Sequence, residues 1–263
     1  MDLSLKGKIA LVTGSSRGLG FATARQLVQE GAIVIINGRD ATQLSNAKAE
    51  LDANPQAQVL AVQGDVADPS FSDAIMNEIQ FRFGGLDILI TNAGGPPAGM
   101  LDDFDDEDWE KAIQSTFLSH VRLINAAKPL LLLSSSPSIL TITSVAVKQP
   151  MDNMILSNSI RAATVGLTKT LANELGPAGI RVNSILPGWT ATERVQSLMS
   201  TRAEQNDTSI EEELHKQALA APLKRIGKPE EFARAAVFLV SPAASYITGV
   251  MLAVDGGLSK GLL

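Results

Sequence analysis

The sequence predicts an α/β fold: a doubly wound, seven-stranded, mostly parallel sheet with helices on both faces. Three observations lead there. β-rich apolar runs alternate with helical patterns along nearly the whole chain. The runs are continuously apolar rather than alternating, as strands covered on both faces must be. The first run also passes directly into LVTGSSRGLG, residues 11–20, a glycine-rich turn at the start of a helical pattern.

The expected strands follow in order. They are IALV at 9–12, IVII at 33–36, VLAV at 59–62, LDILI at 86–90, ILTI at 139–142, VNSIL at 182–186 and VMLAV at 250–254. Between them, helical patterns occupy 21–30, 41–53, 70–83, 106–132, 158–175 and 229–239. A length of 263 residues is long for a single core but ordinary for an α/β protein, so residues 1–263 are read as one domain. Only 190–223 breaks the rhythm, being polar, acidic around 211–213, and helical without a strand of its own. Two readings fit it: a lid over a cleft, or a solvated helical hairpin on the surface.

Composition narrows the function. A net charge of −6, a pI near 5.0 and the lack of a Lys/Arg stripe argue against nucleic acid and anionic membrane as partners. Zero cysteines exclude disulfides, thiolate catalysis and cysteine-based metal sites, and His120 and His215 alone make a histidine-rich metal centre an unlikely design. The first residues carry only a short apolar run ending in glycine, so a cytoplasmic protein with a small-molecule ligand is expected.

The spacing of Gly14, Gly18 and Gly20 has a physical reading. A strand turns sharply into a helix while its backbone nears a phosphate, and a Cβ is unwelcome at those positions. Unpaired N–H groups at the helix start then face the anion. Further anchors for a dinucleotide stand at strand ends. After the second strand comes Asn37-Gly38-Arg39-Asp40, where a carboxylate for ribose hydroxyls is replaced by a neutral residue followed by Arg39. That favours NADP over NAD. Arg17, inside the glycine turn, supplies a second guanidinium suited to a 2′-phosphate; the lesser reading of both arginines is as solvated surface charges. Asp65, after the third strand, is placed to accept from the adenine amino group, and Asn92-Ala93-Gly94 ends the fourth strand.

Together these residues resemble the short-chain dehydrogenase/reductase family over nearly the whole chain. Residues 13–20 match its T-G-x-x-x-G-x-G turn, 92–94 its N-A-G motif, Arg181-Val182-Asn183 with Pro187-Gly188 the segment around its sixth strand, and Asp255-Gly256-Gly257 its C-terminal D-G-G. The tail 222–257 is similar to the β-ketoacyl-carrier-protein reductase branch. The resemblance implies a Rossmann subunit, a homotetramer or homodimer, that moves a hydride between a nicotinamide and a ketone or secondary alcohol. It also implies a cofactor site of Gly14, Ser16, Arg17, Gly18, Leu19, Gly20, Arg39, Asp65, Val66, Asn92, Ala93, Gly94, Arg161, Pro187, Gly188 and Thr192.

The sequence departs from the family where the chemistry belongs. Counting from Ser144, the family's tyrosine and lysine positions hold Ser157 and Arg161, and counting from Trp109, its asparagine position holds Thr116. The chain's one tyrosine, Tyr246, stands near the last strand, where the family tends to place a structural aromatic. Serine is a far weaker acid than tyrosine, whereas Arg161, one helical turn beyond Ser157, stays charged and suits developing negative charge and the nicotinamide ribose. Lys148 and Asp152, on the intervening loop, are either proton donors or plain loop charges, and Ser144 and Ser157 also suit helix caps. Loops at 95–100 and 146–156 with the lid would form the substrate pocket, whose apolar side chains favour a largely nonpolar ligand. Two functions therefore fit: an NADP-dependent oxidoreductase with an altered proton relay, or a cofactor-binding protein of little redox activity acting as sensor or oligomer partner.

Overall fold

A computed structural model describes residues 1–261. Its strands are β1 (Ile9–Val12), β2 (Ile33–Gly38), β3 (Gln58–Gln63), β4 (Ile88–Thr91), β5 (Ser138–Ile142), β6 (Arg181–Pro187) and β7 (Met251–Val254). They form one sheet in the order β3-β2-β1-β4-β5-β6-β7, and every neighbouring pair is parallel. The direction of winding reverses beside β1, which lies between β2 and β4, and the crevice that opens at such a reversal is where α/β sheets take ligands.

Alternate residues of each strand serve different faces, which explains the unbroken apolar runs. Ala10 and Val12 of β1, Val34 and Ile36 of β2, and Ile88 and Ile90 of β4 pack with α1 (Gly18–Gln29), α2 (Ala41–Asp52) and a later helix at residues 229–240. Leu11, Ile35 and Leu89 point the other way, onto α3 (Phe71–Phe83) and helices within 119–131 and 155–175. Both faces are thus dry, and the fold is the doubly wound, Rossmann-like one that the pattern predicts.

One expected element is not continuous. The helical stretch predicted at 106–132 consists of α4 (Asp106–Ile113), a π-helical turn at Gln114–Leu118, and α5 (Ser119–Leu131). Hydroxyls account for the widening. Ser115 Oγ donates to the Lys111 carbonyl at 2.9 Å, Ser119 Oγ to the Ser115 carbonyl at 2.6 Å, and Thr164 Oγ1 of α6 (Ile155–Leu175) to the Thr116 carbonyl at 3.3 Å.

The segment between β6 and the helix before β7 forms α7 (Glu193–Asn206) and α8 (Ile210–Ala220), followed by α9 (Pro229–Val240). Asp207 makes the elbow in the left-handed region at φ 52°, and Ser209 caps α8. Inside the elbow the buried Glu213 carboxylate accepts from Lys216 Nζ at 2.6 Å, Thr208 Oγ1 at 2.8 Å and Asn206 Nδ2 at 3.2 Å. These partners, Lys216 foremost, hold its pKa down to about 2. No helix among the described residues is long and apolar enough to cross a membrane.

The family-like motifs around β6 work structurally. Arg181 donates to the carbonyls of Leu239, Val240, Ser241 and Ile247, closing the C-terminal end of α9. Buried Asn183 donates from Nδ2 to the Ile247 carbonyl at 2.9 Å and accepts from Val250 N–H at 3.0 Å, fixing the approach to β7. Tyr246, in the same turn, is fully exposed in the single chain.

Candidate active site

The cleft beside β1 has a volume of about 1050 Å³ and is floored by the glycine turn. Two glycines of that turn are dictated by space. A Cβ on Gly20 would stand 2.4 Å from the Gly14 carbonyl oxygen and 2.8 Å from Asn92 Nδ2, and one on Gly14 would stand 2.8 Å from the Asn92 carbonyl oxygen. Gly14 also takes φ 55°, which L side chains rarely adopt. Gly20 itself does not line the cleft; it lets α1 close on β1, whereas Gly14, Ser16, Arg17, Gly18 and Leu19 form the cleft wall.

Asn92 ties β4 to this turn. Its Nδ2 donates to the Gly14 carbonyl at 2.9 Å, its backbone N–H donates to Thr13 Oγ1 at 2.9 Å, and Thr13 Oγ1 donates to its carbonyl at 2.8 Å. Asn37, which the sequence offered only as a neutral strand end, completes the scaffold. Its Oδ1 accepts from Gly14 N–H at 3.3 Å while Nδ2 donates to the carbonyls of Val62 and Gly64. The cradle fits a dinucleotide: a glycine-lined floor on which Cβ atoms would clash, opening onto the start of α1 at the sheet's reversal.

Along the cleft stand Arg39, Asp65, Val66, Asn92, Ala93, Gly94, Pro187, Gly188 and Thr192, together with Ser144, Ser157 and Arg161. Two arginines proposed for a 2′-phosphate are engaged with carboxylates: Arg17 Nη1 donates to Glu193 Oε2 at 2.7 Å, and Arg39 Nη1 lies 3.6 Å from Asp65 Oδ2. Ser144 Oγ accepts from Ala146 N–H at 3.1 Å, capping a single 3₁₀ turn at the end of β5. Ser157 is buried one turn before Arg161 on α6.

Arg161 is the unusual group. It is buried, its Nη1 donates to the carbonyls of Ile142 at 3.2 Å and Thr143 at 2.9 Å, and among the described residues no carboxylate pairs with it. Burial, reinforced by the field of Arg194, lowers its pKa to about 10, so it remains a cation. His120 lies buried nearby with Nδ1 on Thr91 Oγ1 at 2.5 Å. Desolvation first, then the charge of Arg161, drives its pKa to about 3 and keeps the ring neutral.

Other expected residues are not brought in. Thr116 is buried within the π turn, and Ser115 is the residue of that segment facing the cleft. Lys148 and Asp152 are exposed and stand outside the cleft lining. Conversely, Arg194 and Gly95 belong to the wall. Gly95 opens the loop at 95–100 that the sequence already assigns to the pocket, and Arg194 falls within 190–223, two residues past Thr192.

Comparison with known proteins places this geometry in company. The enoyl-(acyl carrier protein) reductase family model matches residues 14–259. The 3-oxoacyl-[acyl-carrier-protein] reductase FabG of Staphylococcus aureus is 33% identical over 95% of this chain and 98% of its own. L-sorbose reductase from Gluconobacter frateurii, solved with NADPH and L-sorbose, superposes with a TM-score of 0.95 at 34% identity, covering all of both chains. An NADPH-bound short-chain oxidoreductase from Pseudomonas aeruginosa PAO1, described as containing an atypical catalytic center, matches with a TM-score of 0.88 at 32% identity over 97% of each chain.

Proposed function

Because the chain belongs to the short-chain dehydrogenase/reductase family, we propose that it is an NADP(H)-dependent cytoplasmic reductase of ketones, or dehydrogenase of the corresponding secondary alcohols, in which serine and arginine stand where the family has tyrosine and lysine. When bound, the nicotinamide supplies or accepts the hydride. The supporting observation is that Ser144, Ser157 and Arg161 line the same cleft as the glycine turn.

The chain's own work is to hold charge and a proton. Arg161, anchored on the Ile142 and Thr143 carbonyls through Nη1, keeps Nη2 for the reacting oxygen, where a fixed guanidinium stabilises a developing alkoxide. The Ser144 oxygen accepts from Ala146 N–H, which leaves its hydroxyl proton to donate to that same oxygen, with Ser157 alongside. The serines relay a proton from water, because neither is acidic enough to release one unaided. Arg39 exchanges Asp65, and Arg17 exchanges Glu193, for the 2′-phosphate. Residues 190–223 act as the lid of a single domain, their elbow held by Glu213.

The test is NADPH oxidation against 3-oxoacyl thioesters, sugars and simple ketones. Arg161→Met should lower kcat by roughly 10²–10³, the loss typical of removing one fixed charge donor at a developing oxyanion. If no substrate is turned over while the triple variant Thr116→Asn, Ser157→Tyr, Arg161→Lys gains activity, the chain is instead a coenzyme-binding protein.

A further inference from the structure

We propose that the cleft is built for an anionic substrate, a carbonyl compound bearing a carboxylate next to or near the carbonyl, held between Arg161 and Arg194. This rests on the reading of the cleft as a reductase site and deepens it. The place where a Cβ would stand on Gly95 lies 3.5 Å from Arg161 Nη2 and also 3.5 Å from Arg194 Nε and Nη2. Two guanidiniums therefore flank one glycine, which has no side chain to separate them.

Their surroundings leave this charge uncompensated. Arg194 belongs to an exposed part of α7, yet its guanidinium bends back to the Pro96 carbonyl and lines the cleft. Arg161 is buried with only carbonyl oxygens as partners. Of the carboxylates on the wall, Glu193 is paired with Arg17 and Asp65 with Arg39, Asp40 and Asp108 accept from the backbone N–H groups of Gln43 and Asp105, and among the described residues no carboxylate forms an ion pair within 4 Å of Arg161 or Arg194. His120, behind Arg161, is neutral. Buried charges are ordinarily paired, and two like charges converging on one point carry a standing repulsion that an anion relieves. A carboxylate suits this pair by geometry, since the planar guanidinium fork donates to both of its oxygens. Arg194 then holds the carboxylate and Arg161 faces the carbonyl oxygen, so a 2-oxo or 3-oxo acid fits better than an uncharged ketone.

The test titrates the NADPH-saturated protein calorimetrically with 2-oxo and 3-oxo acids of increasing chain length, each beside its uncharged methyl ester. At least one acid is expected to bind tenfold or more tightly than its ester. Arg194→Met should abolish that preference while leaving NADPH affinity within twofold, and Arg194→Lys should restore part of it. The inference is overturned if acids and esters bind alike, if neither series binds the loaded protein, or if Arg194→Met keeps the preference. It is equally overturned if Arg194→Met weakens NADPH instead, which would assign the guanidinium to the coenzyme phosphates. A wild-type protein that fails to bind NADPH at all would refute the reductase reading itself.

Discussion

Arg17 in the glycine turn and Glu193 at the first position of α7 are joined by an ion pair of 2.7 Å along the wall of the cleft. Both side chains are more than half exposed, at 58% and 67%, so the pair contributes no more than about 1 kcal/mol. Glu193→Gln releases Arg17 for a phosphate. NADPH affinity is expected to rise by up to about fivefold, NADH affinity to stay level, and fluorescence titration of both coenzymes checks this.

Arg39, also on the cleft wall, faces Asp65 across 3.6 Å. Replacing it by aspartate removes a cation and adds an anion where the 2′-phosphate is proposed to sit. The ratio of NADPH to NADH affinity should fall by at least about tenfold, the loss of roughly one charge-assisted hydrogen bond. An unchanged ratio would remove the case for NADP at this position.

Gly20 has no room for a methyl group, with the Gly14 carbonyl oxygen 2.4 Å from where a Cβ would stand. Gly20→Ala forces α1 away from β1 and is expected to cost about 1–3 kcal/mol, visible as a Tm lower by several degrees. Coenzyme affinity should drop with it. A variant with wild-type Tm and wild-type binding would contradict the packing described for the turn.

His120 makes stability depend on pH. The unfolded ring has its ordinary pKa of 6.5 and the folded one about 3, so between those values the unfolded chain takes up a proton that the folded chain refuses. Stability therefore falls as pH drops from 6.5 toward 3. Urea midpoints measured across that window should decline for the wild type and decline less for His120→Gln, which retains a polar partner for Thr91.

Much of the fold was legible because its signals are local. β1 lies at the residues that IALV predicts, and the glycine turn follows it as the spacing requires. The parallel order is a consequence of helical crossovers between strands, and these too stand in the sequence. The π turn was not legible, because the hydroxyls that open it include Thr164, which comes from another helix. Within that turn Thr116 falls inside the helix packing while Ser115 faces the cleft. Arg194 was legible only as a neighbour of Thr192: its chemistry arises from proximity to Arg161 and Gly95, which no spacing along the chain encodes. Asn37 was read for the carboxylate it lacks, whereas its amide organises the strand ends on both sides.

The reciprocal Thr13–Asn92 bonds join residues 79 apart in sequence. A growing polypeptide therefore has no nucleotide cradle until its fourth strand has been synthesised and has docked beside the first. Coenzyme cannot template the pairing of those two strands, because the cradle that would hold it is made by that pairing.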